Sequence, residues 1–459
     1  MDQGEVVATD RDGRVLEGFR LFTEETFGGN GRTCATCHPV ENNLTVDPAS
    51  IRRVPRRDPL FVAETNRALR KLEIPALMRK NGLILENLDG FSEPGMMRGV
   101  PHTLGLALSI RNTRADFPLP GNEALGWSGD GSPGDGTLRE FAIGAVTQHF
   151  PKTLERRACS RREFRVNPDD CDFRLPTRAE LADLLAFQLF TGRDREFNLA
   201  ALDFTDDFVN EGNDLFAEAP SVLGTRSCAA CHRNGGANDA NGDNRQFATG
   251  ANLHPRAPAC LNRNAPGDGG FGPDEKTVAE IECYNGRKVT VTLRGDQTFN
   301  TPSLIEAADT GPFFHNNVVA TIEKAVDFYT TDTFNNSPSG GQNAFVLTKE
   351  QTNQIAALLR ALNVLENIRS GNEYDQLAYR ARNRAPARAL RMGKIALAET
   401  IDAIQVLRGG PVRLFRNTDV ASLLNTARNL ENRAIRSRDF NLLRQAAAVK
   451  DRARDAMLQ

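Results

Sequence analysis

The chain has 459 residues, with 57 Lys+Arg against 59 Asp+Glu and a formal charge of −2, so no basic excess marks a nucleic-acid partner. An apolar share of 40% supports real cores, and no apolar run approaches the length of a membrane span. With only 8 Cys, 6 His and 1 Trp, the spacing of the redox- and metal-competent residues is informative.

The start, Met1-Asp2-Gln3-Gly4-Glu5, lacks the basic and apolar regions of a signal peptide. Residues 12–22 then read as an amphipathic helix leading to Cys34-Ala35-Thr36-Cys37-His38. The same pattern returns as Cys228-Ala229-Ala230-Cys231-His232. Each CxxCH offers two thiols for the vinyl groups of a haem and one imidazole for its iron. A zinc ribbon places its second pair roughly 15–20 residues after the first, whereas Cys228 lies 191 positions after Cys37. A thioredoxin-like CxxC has no need of a His directly after it both times. Two covalent c-type haems are therefore expected, with Cys34, Cys37, Cys228 and Cys231 attaching them and His38 and His232 as proximal ligands. Such haems are attached outside the cytoplasm, so a periplasmic or otherwise extracytoplasmic protein whose signal has been removed is expected.

Between the motifs, Leu138 to Val146 follows Thr137 as a capped helix. Cys159 with Cys171, and Cys260 with Cys283, pair by nearness as two expected disulfides. Asn234 to Gly250 and Asn335 to Asn343 read as loops, and only Lys288 to Leu293 reads as a strand. Within the first loop, Asp239-Ala240-Asn241-Gly242-Asp243-Asn244 is similar to half of an EF-hand loop, a weak calcium candidate. Ile322 to Phe328 and Thr348 to Leu365 read as helices.

From Glu366 the chain has no Cys or His and carries 18 Lys+Arg against 10 Asp+Glu. Helices are expected over Ala387 to Leu407, Asp419 to Arg436 and Asp439 to Met457. This basic tail reads either as a bundle packed on the rest or as a docking face for an acidic partner. Three sections follow: 1–215 with the first CxxCH, 216–365 with the second, and the 366–459 tail. An internal repeat relates the first two: Pro101-His102-Thr103-Leu104 matches Thr301-Pro302-Ser303-Leu304, and Thr137-Leu138-Arg139-Glu140-Phe141-Ala142 matches Thr321-Ile322-Glu323-Lys324-Ala325-Val326.

Thr301-Pro302-Ser303-Leu304, Gly311-Pro312-Phe313-Phe314-His315-Asn316-Asn317 and Thr321 to Val326 together resemble the second-domain signature of bacterial dihaem cytochrome c peroxidases and MauG. Asp135 to Ala142 is similar to their first-domain signature, and the resemblance covers roughly residues 15–365. It implies a mostly α fold: two cytochrome c-like haem domains plus a C-terminal helical extension. By position, Glu140 matches the acidic residue that moves protons beside bound peroxide, and Tyr329 falls where the peroxidases place an axial Met and MauG-type members a Tyr. His315 matches a second-domain His near a haem. His102 lies in the segment expected between the haems, and His149 is a second distal-pocket candidate. His254 has no assignment. The resemblance also implies a calcium ion between the domains.

Two departures stand out. Pro39 to Ala76 contains no His or Met to cap the first iron, and Gly105 stands where the family has a Trp between the haems. The reading is an open, reactive haem at His38 and a six-coordinate His232/Tyr329 haem. Its partners are hydrogen peroxide or oxygen, and a small redox protein or an oxidisable substrate. Oxidation of a substrate in the MauG or oxygenase manner, and pure electron transfer, are the alternatives.

Overall fold

The computed structural model describes residues 3–86, 95–106, 137–192, 197–220, 227–239, 241, 244–270, 276–341 and 344–459. Trp127, the Asp135-Gly136 start of the first signature, and Ala240, Gly242 and Asp243 of the calcium candidate lie outside them.

The molecule is mostly α, as expected. The elements that carry its architecture are α1 (Gln3–Glu24), β1 (Leu83–Glu86), β2 (Met96–Gly99), α2 (Leu138–His149), α3 (Arg178–Thr191) and α4 (Asp207–Glu218). They continue as β3 (Lys276–Glu282), β4 (Lys288–Arg294), α5 (Ile322–Phe328), α6 (Lys349–Ala381), α7 (Pro386–Arg408), α8 (Val420–Ser437) and α9 (Asn441–Asp455). The expected strand Lys288–Leu293 is β4, but it pairs antiparallel with β3, which sequence reading missed. In β3 only Ile281 is buried while Val278 is 70% exposed, so the alternation that marks a strand is faint there. The short β1–β2 ladder, Leu83 opposite Gly99 through Glu86 opposite Met96, was also missed. Both expected disulfides are present, with Cα atoms 5.8 Å apart for Cys159–Cys171 and 5.6 Å for Cys260–Cys283.

A duplication underlies the fold, and it is sharper than the repeat read from the sequence. In α1, Val15-Leu16-Glu17-Gly18-Phe19-Arg20-Leu21-Phe22 has the same frame as Val209-Asn210-Glu211-Gly212-Asn213-Asp214-Leu215-Phe216 in α4. Val15, Phe22, Val209 and Phe216 are all buried. Gly18 lets α1 approach the backbone of Asp183 in α3, and Gly212 lets α4 approach Gln354 in α6; a Cβ at either glycine would overlap the facing carbonyl. Asp183 follows the cap of its helix, Thr177, by the same number of residues as Gln354 follows Thr348. Both caps form a capping box, with Glu180 and Gln351 as the reciprocal partners. The interval from Gly18 to Cys34 equals that from Gly212 to Cys228. Two equivalent helix crossings thus each present one CxxCH turn.

The tail packs under both halves. The α6 helix runs unbroken through residues 365 and 366, so the second section and the tail share one helix. Tyr374, Leu377, Met392 and Ile395 join the core of the first half with Phe19, Phe22 and Phe187. Ala403, Ile404, Leu407, Val420 and Met457 join the core of the second half with Phe216, Leu358 and Leu362. Each of the large apolar side chains in these cores adds about 1.5–3 kcal/mol on burial.

Candidate haem sites

At the first site the chain enters on Thr33, whose backbone N–H donates to Thr36 Oγ1 at 2.9 Å, and turns tightly through Cys34–Cys37. The His38 N–H donates to the Cys34 carbonyl at 2.9 Å, and the His232 N–H bonds the Cys228 carbonyl at the same distance. Each imidazole is then fixed through Nδ1: His38 to the Leu44 carbonyl at 2.8 Å, His232 to the Gly236 carbonyl at 3.3 Å. A carbonyl only accepts, so Nδ1 carries the proton and Nε2 keeps its lone pair. That is the tautomer a metal-bound imidazole needs. Burial lowers both imidazoles from their ordinary value, His232 to about 4, which keeps them neutral.

None of the four CxxCH cysteines is in a disulfide. Burial pushes Cys34 and Cys228 up to about 12 and Cys37 to about 11. A CxxC redox centre depresses its thiol instead, so the environment is wrong for disulfide exchange. Among the described residues no three of His, Cys, Asp and Glu are arranged to hold a bare metal ion. A c-type haem needs no such cluster, because the porphyrin supplies four of the iron's ligands. The neutral, Nδ1-anchored imidazole beside two cysteines outside any disulfide fits that group at both sites.

Around His38 the structure gathers His102 and His149. Burial and then the field of His38 lower His102 to about 4. Burial, then Arg32, then His38 and Arg156 lower His149 to about 3. The Nδ1 atoms of both rings are buried without a hydrogen-bond partner. Asn30, just before the CxxCH, ties this region to the end of α2 by donating to the His149 carbonyl at 2.9 Å. Glu140 is half-buried in the first turn of α2, its N–H capped by Thr137 Oγ1 at 3.1 Å. Glu140 and His149 are nine positions apart, about two and a half turns, and so occupy opposite faces of the helix. Of the two candidates, His149 is the one whose ring feels His38, while Glu140 lies on the other face of α2.

At the second site Tyr329 closes α5 within an aromatic nest. Its ring centre lies 4.9 Å from Phe334, 5.7 Å from Phe328, 6.3 Å from Phe345 and 6.5 Å from Phe314. Burial first, then the fields of Cys231 and Cys228, push its phenol far above the ordinary range. The tyrosine is thus brought to the second CxxCH. Leu304 also reaches this site, donating its N–H to the Gly235 carbonyl at 2.9 Å. Thr301 to Leu304 is therefore part of the wall around His232. His315 sits elsewhere in the second half: its ring stacks on Phe299 at 3.8 Å, and its Nε2 is 3.8 Å from Asp268, which Arg98 grips through bonds of 2.6 and 2.7 Å. This group and the bond from the Gly99 N–H to the His315 carbonyl, at 2.7 Å, clasp β2 to the second half. His254 lies 6.2 Å from Phe328, and its Nδ1 accepts from the Arg256 N–H at 3.1 Å.

Gly105 explains the missing Trp. A Cβ there would lie 2.9 Å from the Ser303 Cβ, so the two repeat segments meet too closely for an indole. In the calcium candidate, Asp239 accepts from the Asn241 N–H at 2.8 Å, and Asn244 donates to the Ala237 and Thr301 carbonyls at 2.5 and 2.9 Å. The described part of that loop uses its polar groups to brace itself. The sequence signal that would have exposed the duplication earlier is the Val-x-Glu-Gly-x-x-Leu-Phe frame. No protein-family profile and no curated protein matches this chain.

Proposed function

We propose that this chain is a two-haem c-type oxidoreductase that reduces peroxide at the His38 site and uses the His232/Tyr329 site as its electron store. The observation that carries the reading is the duplicated CxxCH turn with each imidazole anchored through Nδ1. It belongs with two cytochrome c-like modules, a view supported by the matched Gly18 and Gly212 crossings.

When bound, a haem supplies an iron that exchanges single electrons and, where its sixth position is open, takes peroxide or oxygen. The chain's own groups do the rest. Cys34, Cys37, Cys228 and Cys231 hold the two groups covalently, and His38 and His232 provide one nitrogen each. Tyr329 caps the second site, and the phenylalanines around it keep water out. Glu140 is assigned the proton-carrying role by its match to the acidic residue of the first-domain signature. A general acid–base group works best near the operating pH, and His149, at about 3, is poorly placed to hold a proton there. His149 and His102 keep the pocket around His38 neutral. The reducing equivalents come from a small redox protein. The two disulfides support a site of action outside the cytoplasm.

A second reading, oxidation of an organic or protein substrate in the manner of MauG, is favoured by Tyr329. An anionic oxygen ligand lowers a haem's potential and makes a poor entry point for electrons. EPR of the ferric protein with steady-state assays tests both. A high-spin signal with turnover of peroxide and reduced cytochrome supports the first reading. A high-spin signal without that turnover supports the second. Two low-spin signals alone would leave pure electron transfer and contradict both.

A further inference from the structure

We propose that the tail carries a self-catalysed cross-link: an amide between Lys450 Nζ and the Asp375 side chain, formed with Glu431 as proton carrier. Asp375 comes from α6, Glu431 from α8 and Lys450 from α9, and all three are 0% exposed. Lys450 Nζ lies 2.9 Å from Asp375 Oδ2 and 2.8 Å from Glu431 Oε1. Thr400 Oγ1 in α7 donates to the same Glu431 oxygen at 2.8 Å, which fixes that carboxylate. Nζ touches both carboxylates at once: it donates to Glu431 and pairs with Asp375. Gly371, one turn before Asp375, leaves room for it: a Cβ there would lie 2.8 Å from Nζ.

Burial and then the charge of Glu431 raise Asp375 well above the carboxylate range, its ion pair with Lys450 notwithstanding, so it holds a proton. Lys450 is raised to about 12 by the two carboxylates and starts as the ammonium. Attack therefore begins with transfer of one ammonium proton to Glu431. The amine then forms the N–Cγ bond, and the bond from Cγ to one Asp375 oxygen breaks. One nitrogen proton stays in the amide. Another leaves with the Asp375 hydroxyl as water, and the third rests on Glu431. Nothing is oxidised or reduced. Fixing both groups in a dry core replaces the entropy cost of bringing them together. The product would tie α9 to α6, the helix that also crosses α4.

The test is peptide mapping of the full, purified protein after denaturation and trypsin. The expected result is one linked species containing Asp375 and Lys450, lighter than its two parts by one water, with no cleavage after Lys450. Cleavage after Lys450 together with an unmodified Asp375 peptide overturns the proposal. In Glu431→Gln, which keeps shape and volume, the linked fraction should fall about tenfold or more. Linkage as complete as in the wild type would overturn the role of Glu431.

Discussion

Gly18 sits directly against the backbone carbonyl of Asp183, and this contact sets how closely α1 crosses α3 beneath the first CxxCH. Gly18→Val should cost about 1–3 kcal/mol through overpacking, read as a lower denaturation midpoint. Gly13, in the same helix, is exposed and has nothing within reach of a Cβ. Gly13→Ala should raise stability by about 0.5–1 kcal/mol. Equal effects at the two positions would show that α1 does not cross α3 at Gly18.

Replacing Tyr329 by Phe keeps the aromatic nest filled while removing the oxygen. EPR of the ferric variant should show loss or change of the low-spin signal with the high-spin signal kept. An unchanged low-spin signal removes Tyr329 from the second site.

Glu140→Gln should lower the rate with peroxide by about 10²-fold or more, with little change in the absorbance spectrum. His149→Gln should lower it by less than about tenfold, because that ring holds no proton near neutral pH. The reverse order of effects would transfer the proton-carrying role to His149.

A buried set of carboxylates joins the halves to the tail. Burial raises Asp309 to about 6, Asp402 to about 7 and Glu399 to about 8, and it raises Glu306 well above its ordinary value. The folded chain thus keeps protons that the unfolded chain releases above about pH 4. This contribution to stability is full below about pH 4 and is lost as pH rises through about 6 to 8. Glu399→Gln removes one such group. Its urea midpoint relative to the wild type should rise between about pH 5 and about pH 8. A difference independent of pH would show that Glu399 ionises as freely in the folded chain as in the unfolded one.

Much of the helical framework was legible because it rests on local signals. The caps at Thr137, Thr321 and Thr348 and the stop at Gly409 all fall where the side chains dictate. The two CxxCH turns were legible because a motif of fixed spacing can be read directly from the chain. What escaped depends on partners far along the chain. The β3 strand shows almost no alternation because one face is solvated and the other buries only Ile281. Nothing near Glu399 or Lys450 in sequence announces burial, since each is buried by helices from elsewhere in the chain. The opposition of Glu140 and His149 follows from helical periodicity alone and could have been read from their spacing.

The central claim is covalent attachment of a haem at each CxxCH turn. Express the chain with a cytochrome c maturation system, denature it, extract it with acidified acetone, and measure the intact mass and the haemochrome spectrum. The account predicts a polypeptide that retains the mass of two haems and gives a c-type haemochrome, with one haem lost in each of Cys37→Ala/Cys34→Ala and Cys231→Ala/Cys228→Ala. A chain that keeps no haem after extraction would contradict it.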